Sequence, residues 1–251
     1  MPLLRYKRIA AILFCFFGLA SCASMTSDKT TKAIPVSWDK GFTMPALLAS
    51  PGVSLNDIGD LPKLVAASWY AEINVSQTKV GDAVFSSCSD YFDKGQQSTR
   101  TVRDSEMDAY MEFKIMCEAT RLLINAKPSK ESFMQGNLLT IDTPHLWPKD
   151  MALQISIAES RRSADDPKIK TWSDATPITQ YKSLSETQAI YFHEGGYQEV
   201  EVLGNGDAND DGIEDLFLIV RDQVEGGDYF NLRLFVLSVD ARGTWMLIKQ
   251  I

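Results

Sequence analysis

The sequence predicts an α+β protein, with an N-terminal α/β portion that contains one long helix and a C-terminal antiparallel β-meander. A helical spacing of apolar residues runs from Asp104 to about Ala126. After Thr187, short segments alternate between apolar and polar residues and are separated by glycine-containing turns. The chain is 45% hydrophobic and 23% charged, which is ordinary for a globular protein. These three observations indicate a folded body with a real core.

The elements before the long helix are short. Residues Ile34 to Trp38 include a proline and are predicted to be extended. From Ser54 to Ser68, apolar residues recur at helical spacing, and Ser54 or Asn56 is the expected N-cap. Alternating segments then predict two strands, at residues 69–76 and 83–88. A polar loop is expected at residues 94–101.

The long helix has signals at both ends. Asp104 is the expected N-cap, Glu106 adds a favourable charge to the first turn, and Pro128 stops the helix. Beyond it, strand patterns cover residues 134–142 and 151–158, separated by a proline-containing loop. The polar stretch from Glu159 to Ser183 is predicted to be a surface connection and the main sub-domain boundary.

The last part of the chain predicts the meander. Glycine-containing turns at Gly195-Gly196, Gly226-Gly227 and Ala241-Arg242-Gly243 separate its strands. The predicted strands are Gln188–His193, Tyr197–Leu203, Asp215–Arg221, Tyr229–Val239 and Thr244–Gln250.

The N-terminal segment has the layout of an export signal. Basic residues Arg5, Lys7 and Arg8 precede an apolar run from Ile9 to Leu19, which is shorter than the ~20 residues of a membrane-spanning helix. The run ends in Leu19-Ala20-Ser21-Cys22, which resembles the lipobox of bacterial lipoproteins. The resemblance covers residues 1–22. It implies cleavage before Cys22 and attachment of lipid, such as palmitate, to that cysteine. Several acyl chains on one residue anchor a protein stably.

Ala23 follows the lipidated cysteine. In Gram-negative lipoproteins this resembles the pattern of sorting to the outer membrane, so we expect an outer-membrane lipid anchor that faces the periplasm. An ordinary secretory signal cut elsewhere and a signal anchor are the alternatives. The expected organisation is a signal peptide at residues 1–21 and a flexible tether at 22–33. An α+β portion with a disulfide at 34–160, a surface connection at 161–186 and the meander at 187–251 follow.

The charge excludes some partners. The formal net charge is −8, and removal of Arg5, Lys7 and Arg8 with the signal peptide takes it to −11. Such an acidic surface argues against nucleic acid and against electrostatic docking on anionic lipid. It suits cations or basic partners, and it is also a common means of solubility.

The body contains two cysteines, Cys88 and Cys117. An exported protein folds where disulfides form, so we expect these residues to be bridged, with two buried free thiols as the alternative. The spacing is not that of a CxxC redox motif, and with only His145 and His193 in the chain a zinc site is not expected.

One acidic loop has a specific chemical interpretation. Asp207, Asn209 and Asp211 place oxygen side chains at alternate positions, and Gly212 permits a tight turn. Ile213 can offer its carbonyl, and Asp215 closes the site from the next strand. These five ligands with water suit the 6–8 oxygens that Ca²⁺ prefers. The loop resembles the Asp-x-Asn-x-Asp-Gly-x-x-Asp loop of FG-GAP and VCBS-type repeats, and the resemblance covers only residues 203–220.

The resemblance implies a structural Ca²⁺ at residues 207–215. It does not extend to a propeller, because such domains carry several copies of the loop and this chain has one. An EF-hand is excluded because Leu218 stands at its twelfth position. The alternative is a β-turn rich in Asp and Asn that holds no metal.

The expected function is binding or scaffolding in the cell envelope, with an unidentified envelope protein or ligand as partner. No nucleophile elbow, zinc-protease or P-loop pattern occurs in the sequence. An envelope hydrolase that uses cleft carboxylates, or an accessory subunit of an envelope complex, is the alternative. Sequence does not reveal paired carboxylates, so the hydrolase stays open.

Overall fold

A computed structural model describes residues 32–39, 44–50, 55–77, 81–94, 98–153, 165–227 and 229–251. The predicted signal peptide, the lipobox with Cys22 and all but the end of the tether lie outside these residues. The described part confirms the α+β class, with one long helix and antiparallel sheets. The described residues from Lys32 onward belong to one compact unit.

The elements of the described residues are as follows. The strands are β1 (Ser37–Trp38), β2 (Ser68–Gln77), β3 (Gly81–Ser87), β4 (Ser98–Thr101), β5 (Ile178–Ser183), β6 (Gln188–His193), β7 (Gly196–Gly206), β8 (Asp215–Val224), β9 (Phe230–Val239) and β10 (Trp245–Gln250). The α-helices are α1 (Pro62–Ala66), α2 (Cys88–Lys94), α3 (Met107–Asn125), α4 (Thr143–Leu146) and α5 (Trp172–Ala175). Short 3-10 helices cover Met44–Leu47, Ile58–Asp60, Asp104–Glu106 and Lys149–Met151.

The C-terminal sheet is the predicted meander. Its strands lie in the order β10-β9-β8-β7-β6-β5, all antiparallel, and β1 pairs with the end of β7. The five predicted strands are confirmed, with ends that differ by at most three residues. Close approach of β1 explains a glycine in β7, because a Cβ on Gly204 would lie 2.2 Å from the Ser37 carbonyl oxygen.

The central strands of the meander are buried on both faces. Phe217 and Ile219 of β8 point into one core, and Leu216, Leu218 and Val220 point into the other. A strand covered on both faces has a continuous apolar run instead of an alternating one, as residues 216–220 do. The meander is therefore the middle layer of the molecule.

Helix α3 and the small sheet cover the first face. That sheet has the order β3-β2-β4, and it shares a core with α3 and with β7, β8 and β9. Trp69 of β2 stacks on Phe113 of α3, with ring centroids 4.2 Å apart and planes 2° from parallel. The second face is covered by residues 138–152 and by α5, where Trp147 and Trp172 are fully buried.

Several predictions for the first half of the chain are corrected. The helix expected over residues 54–68 is a 3-10 turn followed by α1, and its cap is Asp57, whose side chain accepts a hydrogen bond from the Gly59 amide. The predicted long helix begins with a 3-10 turn at Asp104, without a side-chain cap there. The loop expected at residues 94–101 contains β4, which pairs with β2, and α2 was not predicted.

Three predictions for the chain after α3 also differ from the structure. Residues 134–142 do not form a strand, because side-chain hydrogen bonds from Thr143 and two tyrosines hold the backbone in an irregular path. Of the strand predicted at 151–158, Met151 ends a 3-10 helix, and residues 154–158 lie outside the described ones. The connection expected at 161–186 contains α5 and β5, because Trp172 buries its large apolar surface.

Candidate functional site

The acidic loop joins β7 to β8 as predicted. Asp207 and Asp215 are buried, whereas Asn209, Asp210 and Asp211 are exposed. Gly212 has a φ of +84°, a left-handed conformation that glycine adopts without strain. The loop is therefore a tight turn with an acid at each of its two buried ends.

Side-chain oxygens of the loop hold its own backbone. The Asp207 carboxylate accepts hydrogen bonds from the amides of Asp210 at 2.7 Å and Gly212 at 2.8 Å. Asp211 Oδ1 accepts one from the Ile213 amide at 2.7 Å. Asn209 donates from its side chain to Asp211 Oδ2 at 3.0 Å. These are the local bonds by which Asp and Asn stabilise turns.

Asp215 is the most deeply buried acid of the loop. Its Oδ2 accepts a hydrogen bond from the Ala208 amide at 2.9 Å, and its buried Oδ1 has no partner of good geometry among the described residues. Burial raises the pKa of Asp215, and the carboxylates of Asp211 and Asp207 raise it further. The Ser238 hydroxyl and the Ala208 amide act in the opposite direction. A positive charge placed here would favour the ionised carboxylate.

The five predicted calcium ligands lie on this loop, and their role stays a prediction. Within the described ranges, no group of three or more His, Cys, Asp or Glu side chains is arranged to hold a metal ion. Two of the predicted ligands, the Asn209 side chain and the Ile213 carbonyl, are not His, Cys, Asp or Glu side chains, so that statement does not cover them. The side chain of Ile213 is half-buried and belongs to neither core.

A segment that the sequence did not single out braces the loop. We call residues 127–131 the brace. Lys127 and Asp207 exchange two backbone hydrogen bonds of 2.9 Å, and the amides of Lys130 and Glu131 both donate to the Gly212 carbonyl. Lys127 Nζ also lies 2.6 Å from Asp210 Oδ2. The brace therefore fixes both ends of the loop and neutralises Asp210, an acid that is not a predicted ligand.

The predicted disulfide is confirmed. Cys88 and Cys117 are bonded, with Cα atoms 5.3 Å apart, and both are fully buried. The bond joins the first residue of α2 to the middle of α3, whereas the sequence had placed Cys88 at the end of a strand.

A cleft lies between the irregular segment and the last hairpin. It has a volume of about 390 Å³ and is lined by residues from 133–147 and from 239–245, and we call it the Trp245 cleft. Its one carboxylate, Asp240, is paired with Arg242 at 2.7 Å. This cleft therefore does not supply the pair of carboxylates that glycoside hydrolysis needs.

A buried polar network crosses the second face of the meander. Arg233 donates to both oxygens of Asp222 at 2.8 Å, and to the carbonyls of Asp150 and Met151. Gln198 joins this pair, because its Nε2 donates to Asp222 Oδ1 and its Oε1 accepts from Trp172 Nε1, both at 2.8 Å. The network fastens residues 149–152 and α5 to the sheet.

The fold and these sites define a disulfide-bonded α+β protein with a braced acidic loop and a small polar cleft. The chain matches no family model, no curated protein and no solved structure. Across the part of the chain that is described, no helix has the length and apolar character needed to cross a membrane.

Proposed function

We propose that the protein is an exported, lipid-anchored protein of the cell envelope that acts by binding or scaffolding. Its anchor would be Cys22, in the outer membrane and facing the periplasm. The observation that carries the proposal is the Cys88–Cys117 disulfide, because such bonds persist in oxidising compartments and are rare in the cytosol. This support for export is independent of the N-terminal pattern.

The anchor is tested at Cys22. Cys22→Ser removes the thiol that would carry lipid, so we expect the protein to move from the membrane fraction to the soluble periplasmic fraction. Metabolic labelling with palmitate is expected to mark the unmodified protein and not the variant. Labelling that persists in Cys22→Ser, or processing unaffected by globomycin, would contradict the lipoprotein assignment.

The acidic loop is proposed to hold one structural Ca²⁺. The ligands would be Asp207, Asn209, Asp211, the Ile213 carbonyl and Asp215. The buried and unpartnered Asp215 Oδ1, beside two further carboxylates, supports this donor set. The bound ion would supply positive charge, and the residues would give the β7–β8 connection a fixed shape.

Calcium is expected to raise the melting temperature. At ~100 times the Kd, an ion that binds only the folded state adds about 2.7 kcal/mol, which is about 5–10 °C for a domain of this size. We expect this shift between chelator and Ca²⁺ in differential scanning calorimetry. Equal melting temperatures in the two conditions would exclude a structural calcium.

Two loop variants provide the control for this measurement. Asp215→Asn removes a ligand charge and is expected to abolish the response, whereas Asp210→Asn removes an acid outside the ligand set and is expected to keep it. In chelator at pH 7, Asp215→Asn is expected to be at least as stable as the unmodified protein. The reason is that the folded-state pKa of Asp215 is raised, so its ionisation opposes folding as pH rises.

Scaffolding is supported by one surface feature. Val84 and Val102 are 47% and 51% exposed, and they lie on either side of Asn74 in the small sheet. Exposed apolar side chains grouped on one face are typical of contact surfaces. An accessory role in an envelope complex is therefore the second candidate, and cross-linking from Val84 in intact cells would test it.

A further inference from the structure

The Trp245 cleft has the properties of a preformed ligand site, separate from the acidic loop and from the anchor. Its volume of about 390 Å³ lies within the range of small-molecule sites, ~300–1,000 Å³. It is formed by residues 133–147 on one side and by the β9–β10 turn on the other. The nature of these two walls indicates what the cleft accepts.

The first wall is held rigidly although residues 133–142, its larger part, have no regular secondary structure. Thr143 Oγ1 accepts a hydrogen bond from the Thr140 amide at 2.8 Å and donates one to the Leu138 carbonyl at 2.9 Å. Tyr181 and Tyr191 of the meander donate hydroxyl hydrogen bonds to the carbonyls of Leu139 and Thr140, at 2.7 and 3.0 Å. A wall fixed in this way loses little conformational entropy when a ligand binds.

The second wall carries a pair of charges that cancel. Asp240 accepts hydrogen bonds from the amides of Arg242 and Thr244, both at 2.9 Å, and from the Arg242 guanidinium. The Thr244 amide and then the Arg242 side chain lower the pKa of Asp240 to about 2. Both partners are therefore charged at neutral pH, and the cleft offers no net charge to an ionic ligand. The chain's net charge of −8 disfavours an anion further.

The remaining lining combines apolar surface with planar polar groups. Trp245 is half-buried against Trp147, with ring centroids 5.7 Å apart, and Leu146 is exposed. Gln135 and Asn137 place exposed amide side chains on the same cleft. Arg242 donates hydrogen bonds to Asp240 from Nε and Nη2, so the two N–H groups of Nη1 are not used by Asp240 and can donate to a ligand. An aromatic surface with amide and guanidinium groups around it fits a ring that has one apolar face and hydroxyl groups at its edge.

We propose that the Trp245 cleft binds a neutral saccharide unit, with Trp245 against the C–H face of a pyranose ring and Gln135, Asn137 and Arg242 on its hydroxyl groups. Neutral pyranose rings are common to cell-wall glycan, which is N-acetylated, and to other glycans without N-acetyl groups. The same ring chemistry can therefore come from either kind of glycan, and a disaccharide probe of each kind distinguishes the two sources.

The test is isothermal titration calorimetry of the purified protein in detergent, with N,N′-diacetylchitobiose and with cellobiose. We expect saturable binding of one or both, with a Kd between about 0.1 and 1 mM. Preference for diacetylchitobiose assigns the cleft to N-acetylated glycan, and preference for cellobiose assigns it to glycan without N-acetyl groups. D-glucuronate is expected to bind more weakly than D-glucose.

Variants locate the binding in the cleft. Trp245→Ala and Arg242→Ala are each expected to weaken binding at least tenfold, and Arg242 is an exposed residue whose replacement leaves the core intact. Met246→Ala is the matched control, because Met246 is exposed on the same strand and does not line the cleft. Arg242→Ala keeps the test valid if Trp245→Ala fails to fold. Absence of saturation with both disaccharides at ~10 mM, tighter binding of glucuronate than of glucose, or unchanged affinity in Arg242→Ala would overturn the proposal.

Discussion

Replacement of Asp222 by alanine is expected to lower the free energy of unfolding by about 3–5 kcal/mol. Asp222 is fully buried, and the guanidinium of Arg233, itself 5% exposed, donates to both of its oxygens. Alanine leaves that guanidinium buried without its counter-charge, and it also removes an acceptor from Gln198. Urea denaturation followed by circular dichroism measures the loss.

Two further variants show whether the loss comes from the unpaired charge. The double variant Asp222→Leu with Arg233→Met replaces the pair by apolar groups, and it is expected to recover most of the stability. Arg100→Ala breaks an exposed ion pair with Asp104 and is expected to have no measurable effect. A loss in Asp222→Ala as small as that in Arg100→Ala would contradict the interpretation of the buried network.

Removal of the disulfide is expected to have the next largest effect. Cys88 and Cys117 are 29 residues apart, so the chain-entropy model gives a stabilisation of about 3–4 kcal/mol. The double variant Cys88→Ala with Cys117→Ala is expected to lose this amount in urea denaturation. A loss is expected because the bond connects α2 to α3 inside the first core.

Chemical reduction provides an independent comparison. Dithiothreitol is expected to bring the unmodified protein to the stability of the double alanine variant and to leave that variant unchanged. At the denaturation midpoint the unfolded chain exposes both sulfurs to the reductant. An unchanged midpoint of the unmodified protein in dithiothreitol would therefore contradict the expected contribution of the disulfide.

Local sequence patterns predicted the meander well because each strand lies between turn residues and packs on its neighbours in the sequence. The same reasoning failed for residues 134–142, whose apolar residues suggested a strand. There, Tyr181 and Tyr191 take the backbone carbonyls that a strand would use for pairing. Hydrogen bonds between residues about 40–50 positions apart leave no local pattern.

Of the candidate sites, only the acidic loop could be predicted from local sequence. The acidic loop was visible because all five predicted ligands lie between Asp207 and Asp215. Its brace was not visible, because Lys127 and Asp207 meet only in the folded protein. The Trp245 cleft was also hidden, since its walls are joined by the whole of the chain from Trp147 to Val239.

The brace also determines how the body resists tension at its N-terminal end. If tension is applied at Lys32, the first backbone hydrogen bonds that bear it are the two between Ile34 and Ser129, at 2.8 and 2.9 Å. Ser129 lies in the brace, which is bonded on its other side to the acidic loop. Force applied at that end is therefore shared between β1 and the β7–β8 connection before it reaches the middle of the meander. We therefore expect tension at the N-terminal end to reach the acidic loop through the hydrogen bonds of the brace.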